Sequence, residues 1–326
     1  MDPLSDVLSL LRPQNYFSAG TTASGAWSLG FPDQAGTIKC GAVVTGACFL
    51  AVAGGGSVYL EEGDAFLLPS GRDFRLCTDL ARAPVNAVAM LKRQGHRAGK
   101  GGIAHFEGEP VPGQAVAPVS LVSSRFTLAD KHGHLLLRVL PPIVHIRGGR
   151  QSDLRWAVER MMRELRDPQP GGFLIIEHLA HMILVQALRQ HMQDSRSTSI
   201  GWLFALTDPQ IGAAMSAMHE APAQRWTLAT LAAQAGMSRS SFAQKFKETV
   251  GSAPMDYLTR WRMLLAAERL AQNEDSVSVI ALSLGYSSES AFSTAFKRIM
   301  GVSPRDYGRQ PDAFSIPPPQ QLLPAT

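Results

Sequence analysis

Two stretches near the C-terminal end decide the fold: LAAQAGMSRSSFAQKFKETVGSAPMDY, from Leu231 to Tyr257, and IALSLGYSSESAFSTAFKRIMGVSPRDY, from Ile280 to Tyr307. They are two copies of one pattern, offset by 49 to 50 residues. Gly236 matches Gly285, Phe242 matches Phe292, Phe246-Lys247 matches Phe296-Lys297, and Gly251, Pro254 and Tyr257 match Gly301, Pro304 and Tyr307. In each copy a short helix leads through a glycine and a serine to a second helix with two phenylalanines four residues apart. That layout is a helix-turn-helix. Gly236 and Gly285 permit the positive φ of the turn, and Ser238 and Ser287 or Ser288 can accept the first free amides of the second helix. The paired phenylalanines point inward with Val250 and Met300.

Rotating about 100° per residue from Phe242 turns Ser240, Gln244 and Lys247 away from the core, with Ala243 at the border. The same rotation from Phe292 turns out Ser290, Thr294 and Lys297, with Ser293 at the border. Hydroxyls and an amide suit base edges in a major groove, and Lys247, Lys297, Arg298 and Arg305 suit phosphates. Leu258 to Gln272 reads as one helix between the copies, about 22 Å long at about 1.5 Å per residue. Charge agrees with a polyanion partner. Residues 221–310 hold eleven Lys/Arg and seven Asp/Glu, so the whole net charge of +4 sits in that block.

Upstream the texture differs. Asp2-Pro3 starts a short helix over residues 3–11. From Trp27 to about Arg147, short β-branched or apolar runs are cut by glycine and proline, as in CGAVVTGACFLAVA and SVYLEEGDAFLLP, the pattern of an antiparallel barrel or sandwich. QGHRAGKGG near residue 100 reads as an excursion. After Gly149, Leu154, Val158, Met161, Met162 and Leu165 share a helical face. The next helix, 173–192, is apolar nearly all round and predicts a subunit interface that Leu184→Glu would disturb. Glu177, His178, His181, Arg189 and His191 interrupt it, so it is not expected to span a membrane. Another helix should start after Asp208-Pro209, and the tail from Pro311 lacks packing residues.

The block from Trp226 to Tyr307, ending in Gly301-Val302-Ser303-Pro304-Arg305-Asp306-Tyr307, resembles the DNA-binding domain of the AraC/XylS transcription regulators. The N-terminal part, with MDPLSDVLSLL, LEEGDAFLLPSG and LLLRVLPPIVHIR, resembles the cupin-like sensor domain of one branch of that family. The expected fold is therefore α+β and multidomain: a cupin-like β-barrel (1–150), a helical linker and dimerisation region (151–208), an all-α domain with two helix-turn-helix motifs (209–310) and a disordered tail (311–326). The N-terminus carries Asp2 and Asp6 and no long apolar core, which predicts a cytoplasmic protein, and the resemblance implies a sequence-specific DNA-binding regulator. Its partners would be double-stranded DNA, a small organic effector, a second copy of the chain and RNA polymerase.

Enzymatic readings find little to stand on. Metal-holding cupins carry a Gly-x5-Pro-x-Gly-x2-His motif; Gly63, Pro69 and Gly71 keep the spacing, but Phe74 stands at the histidine place. Lys39 and Cys40 occupy the other strand where His-x-His would be expected, so no metal or cofactor is predicted. Glu177-His178-Leu179-Ala180-His181 matches no zinc-hydrolase motif, and Arg97-Ala98-Gly99-Lys100-Gly101 is no phosphate loop. His132 and His134 read as solvent-facing. Cys40, Cys48 and Cys77 read as buried thiols. The alternative, a metal-independent cupin enzyme with a fused helical module, lacks a convergent acid, base or nucleophile. Effector contacts are expected at Phe49, Phe66, Leu68 and Phe74, with Arg72 or Arg75 for an anionic group.

Overall fold

The computed structural model describes residues 2–93, 102–110, 117–128, 140–148, 153–194, 200–272 and 275–309. The excursion near residue 100, His132, His134 and the tail from residue 311 lie outside them. The described chain forms two compact units, one built from residues 14–128 and 140–191, the other from residues 2–13 and 192–309.

The first unit is built on β1 (Gln14–Ser24), β2 (Ser28–Phe31), β3 (Thr37–Thr45), β4 (Cys48–Val52), β5 (Gly56–Leu60), β6 (Ala65–Leu68), β7 (Phe74–Cys77), β8 (Val85–Asn86), β9 (Ile103–Glu107), β10 (Val119–Thr127) and β11 (Val144–Ile146). Two sheets result, in the orders β11-β6-β3-β10-β1-β9 and β5-β4-β7-β2-β8. One apolar core lies between them and draws on both: Val43, Phe66, Leu68 and Leu121 from the first, Leu29, Leu50, Val52 and Phe74 from the second. Among the described residues no pairing joins the two sheets edge to edge. Gly41 admits the closest approach in this core. A Cβ there would lie 2.6 Å from Cζ of the Phe66 ring, so the tip of the ring sits against the β3 backbone.

The opposite face of the larger sheet is covered by α3 (Asp153–Arg166 as the third helix, after α1, Pro3–Leu11, and α2, Ala87–Arg93). It buries the five residues expected from their spacing, with Ala157. The following helix, α4 (Gly172–Asp194), buries Ile176, Leu179, Ala180, Ile183, Leu184 and Leu188 along one face. It is long and apolar enough to cross a membrane by length and composition.

The second unit contains α1 and the C-terminal helices α5 (Trp202–Ala205), α6 (Pro209–Glu220), α7 (Leu228–Gln234), α8 (Arg239–Val250), α9 (Pro254–Gln272), α10 (Val277–Ser283), α11 (Glu289–Met300) and α12 (Pro304–Arg309). Asp2 caps α1 as expected. Its apolar face, however, packs on α6 and α9 rather than joining the strands that follow it. An amphipathic helix states that one face must be covered; it does not state by what. Arg12 pairs with Glu268 at 2.5 Å. Asp6 Oδ2 lies 3.3 Å from Nδ1 of His219, whose ring stacks on Trp261 at 4.1 Å and whose Nε2 is 2.8 Å from the Tyr257 hydroxyl. Burial holds the His219 imidazole neutral, its pKa down to about 3.

Candidate nucleic-acid interface

Each helix pair in the second unit follows from local sequence. In the first, Thr227 and Thr230 form a reciprocal capping box at the start of α7. Gly236 then takes φ +63°, and Ser238 Oγ accepts the Ser241 amide at 3.2 Å to start α8. In the second, Gly285 takes φ +83° and Ser288, not Ser287, accepts the Ala291 amide at 3.2 Å to start α11. Phe242, Phe246, Phe292 and Phe296 are all fully buried. Phe246 meets Tyr257 at 6.0 Å between ring centres, and Phe296 meets Tyr307 at 5.6 Å, so the duplication extends to the ring contacts.

Residues 241–250 and 291–300 have the same sequence of buried, half-buried and exposed positions at every one of their ten places. Ser240, Gln244 and Lys247 are exposed on α8; Ser290, Thr294, Lys297 and Arg298 are exposed on α11, with Ser293 half-buried. Arg305, on α12, is exposed and paired with Glu289 at 3.1 Å. The Gln244 amide donates to Glu248 at 3.0 Å, and Thr294 Oγ1 donates to the Ser290 carbonyl at 3.0 Å. Sequence reasoning passed over two residues on this surface. Glu248 lies one turn beyond Gln244, a spacing that could have revealed it, and Arg239 is exposed at the first position of α8. Lys245, four residues from Ser241, is instead held to Asp208 at 2.7 Å and Gln210 at 2.9 Å.

The two helix pairs are tied by the segment before α7. Arg262, on α9, donates Nε to the Pro222 carbonyl at 2.7 Å and Nη2 to the Gln224 carbonyl at 2.8 Å, and lies 5.8 Å from the centre of the Tyr286 ring. The turn at Gly285 presses on the same segment: a Cβ there would lie 2.2 Å from the Ala223 carbonyl oxygen. The connecting helix α9 starts at Pro254, one turn earlier than its apolar spacing suggested, because a proline at the first position costs no hydrogen bond.

In the first unit, a cavity of about 570 Å³ is lined by Phe31, Pro32, Val52, Phe74, Pro84 and their neighbours. Phe74 is buried and stacks on Phe31 at 4.6 Å. Phe66 and Leu68 lie deeper in the same core. Phe49 is turned to the other face of its sheet, against Tyr59 at 4.9 Å, because the inward positions of β4 are Cys48, Leu50 and Val52. Arg72 donates to the Gly54 carbonyl at 3.0 Å, and Arg75 to the carbonyls of Arg82 and Leu80 at 3.2 and 2.8 Å. Gln34 and Lys39 are buried, and Arg125 donates to Gln34 Oε1 at 2.7 Å; of these three the sequence had singled out only Lys39, and only for the place it occupies.

Cys40, Cys48 and Cys77 are buried free thiols, and burial pushes Cys40 and Cys48 up to about 12. His178 is exposed, and His181 Nδ1 lies 2.8 Å from the Glu177 carbonyl while its ring meets Phe126 edge-on. Among the described residues, no three His, Cys, Asp or Glu side chains come together as a metal site.

Against known proteins, residues 2–193 match the cupin family and residues 231–310 match the helix-turn-helix domain family. An AraC-like transcription regulator of Streptomyces antibioticus is 40% identical over 314 residues, covering 95% of this chain and 99% of the relative. The HTH-type transcriptional regulator AlkR of Acinetobacter baylyi is 30% identical over 278 residues, covering 82% of this chain and 86% of that protein. The DNA-binding domain of AdpA, solved with a target DNA, is 34% identical over 33% of this chain and 96% of its own, with a TM-score of 0.31.

Proposed function

The chain belongs to the AraC-like transcription regulators, DNA-binding proteins and not enzymes, and on that premise we propose that one chain reads two unlike half-motifs with α8 and α11 as the second helices of two helix-turn-helix motifs. The observation that carries this is the position-by-position identity of exposure in the two helices, joined to different outward residues. Ser240 and Gln244 face one half-motif, Ser290, Ser293 and Thr294 the other, and Lys247, Lys297, Arg298 and Arg305 meet phosphates. Gln244 gives one amide hydrogen to Glu248 and keeps its carbonyl and second hydrogen for a base edge, the pattern that suits adenine. The 19 residues of α9 span about 27 Å and hold the readers toward successive major grooves about 34 Å apart.

Selection from random DNA with the intact protein is expected to enrich a bipartite motif. Gln244→Ala should then lose discrimination at one base position, by about 1–3 kcal/mol, while Lys297→Ala weakens all sequences alike and lowers the salt slope by about one. Enrichment of no motif would sink the proposal.

The wider layout follows the same reading: a sensor domain within 1–150, a linking and dimerising region at 151–208, the DNA-binding domain at 209–310 and a tail beyond, acting in the cytoplasm with RNA polymerase as a further partner. The packing of α1 supports moving residues 3–11 to the DNA-binding unit. Control by a small organic effector in the first unit is supported by its cavity, at which Phe74 and Arg75 lie, with Phe66 and Leu68 beneath. Association of two copies through the region of α3 and α4 is supported by Trp156, Phe173 and Leu174, which are 55%, 61% and 58% exposed. Leu184 is 2% exposed and belongs to the protein's own core, so Leu184→Glu would damage folding instead. Leu174→Glu is expected to leave the fold intact and shift sedimentation toward monomer; an unchanged distribution would count against this interface.

A further inference from the structure

We propose that Arg239 and Glu289, the first residues of α8 and α11, read base edges and give the two half-motifs different bases at matching places: guanine for Arg239 and cytosine for Glu289. The proposal rests on the reading of α8 and α11 as two DNA readers and names the residues that tell their half-motifs apart.

The duplication supplies its own control. Ser238 and Ser288 cap the two helices alike, each accepting the amide three residues on at 3.2 Å, so Arg239 and Glu289 hold equivalent positions. Their charges are opposite. A helix start favours an acid, because its free amides carry partial positive charge, and a helix end favours a base. The α11 helix follows that preference, with Glu289 in its first turn and Lys297 and Arg298 in its last. The α8 helix departs from it: Arg239 opens the helix, its first turn holds no acid, and Glu248 stands at the place of Arg298. Helix stability therefore accounts for Glu289 and works against Arg239.

The surroundings differ in the same sense. Arg305 donates Nη2 to Glu289 Oε1 at 3.1 Å, whereas Met255 takes the place of Arg305 in the first copy. Arg239 is exposed, and among the described residues no hydrogen bond or ion pair holds its guanidinium. Rotation from Phe242 leaves Arg239 off the outward face, but no helical turn precedes it to cover it. Recognition helices enter the major groove by their N-terminal residues, so this first position stands with Ser240 at the base edges. The arginine fork matches O6 and N7 of guanine. A carboxylate can only accept, and cytosine N4 offers it a hydrogen without the neighbouring N7 acceptor of adenine. Arg305 leaves Oε2 of Glu289 for that contact and offsets the charge that phosphates would repel.

The test is selection from random DNA with the intact protein and with variants of each residue. Wild type is expected to enrich guanine in one half-motif and cytosine at the matching place of the other. Arg239→Ala should lose the guanine preference, by about 5- to 150-fold at that position alone, and Glu289→Ala the cytosine preference. Arg239→Glu suits a helix start, as α11 shows, and should change the guanine to cytosine. Glu289→Arg combined with Arg305→Met copies the first reader and should change the cytosine to guanine. A preference that persists in the variants of either residue overturns the assignment of that residue. If Arg239→Ala weakens all sequences alike and lowers the salt slope, Arg239 meets a phosphate and its base reading is overturned. A bipartite motif untouched by every variant overturns the proposal and leaves two readers standing, whereas enrichment of no motif by wild type removes the two-reader reading itself.

Discussion

Gly285→Ala is expected to unfold the second helix pair and cost about 4 kcal/mol or more, whereas Gly236→Ala should cost only about 1–2 kcal/mol. Both glycines sit at positive φ, and that strain alone accounts for the smaller figure. At Gly236 nothing lies within 4 Å of an added Cβ, while at Gly285 the Cβ would lie 2.2 Å from the Ala223 carbonyl oxygen. Backbone cannot yield as a side-chain tip does. Moving residues 222–224 also breaks the two charge-assisted hydrogen bonds from Arg262, each contributing about 1.5–3 kcal/mol. Urea unfolding compares the variants directly. Footprinting of Gly285→Ala should show protection of one half-motif only; equal stability of the two variants would remove the argument.

Lys39→Met should stabilise the unliganded protein and flatten its stability against pH between about 7 and 8.5. The folded amine has its pKa lowered from 10.5 to about 7, so in this window the unfolded chain binds a proton that the folded chain does not. Wild-type stability therefore rises with pH, at most by about 1.4 kcal/mol per pH unit from this group. The groups around it do not mask the effect. The neighbouring Cys40 thiol is raised to about 12 and stays protonated across the window. Unfolded thiols, half-ionised near 8.5–9, act in the opposite direction toward the top of the window, but equally in wild type and Lys39→Met, so the difference between the two proteins reports Lys39. Chemical denaturation of both proteins at pH 6.5, 7.5 and 8.5 checks the prediction. A parallel pH dependence would mean that Lys39 is solvated or paired in the folded state.

How far the sequence could be read depended on whether each interaction repeats. The C-terminal helices were legible because the duplication supplies two independent copies of every turn glycine, cap and inward phenylalanine, and one rotation from Phe242 or Phe292 gives the exposed face. The choice of Ser288 over Ser287 as cap was not legible, since adjacent serines offer the same chemistry. Strand direction was harder. Phe49 was expected inward, but its neighbours Cys48 and Leu50 hold that face, and a register shift of one residue reverses every such assignment. Arg72 and Arg75 each donate to backbone carbonyls, partners that no sequence pattern announces. Arg125 was not legible either: an arginine in a strand reads as outward, and its place opposite Lys39 and its hydrogen bond to Gln34 appear only once the strands are paired.

The docking of α1 has a consequence for how the chain is made. Arg12 and its partner Glu268 are 256 residues apart, so α1 leaves the ribosome well before its binding place on α9 has been made. At about 5–20 residues per second the interval is roughly 13–50 s. During it Leu4, Val7, Leu10 and Leu11 have no cover from α6 or α9. The strands from Gln14 onward can pair meanwhile, since all their partners precede Gly149. Nascent chains halted before Glu268 should thus present a folded sheet unit with α1 undocked, and synthesis of α9 lets α1 join the second unit.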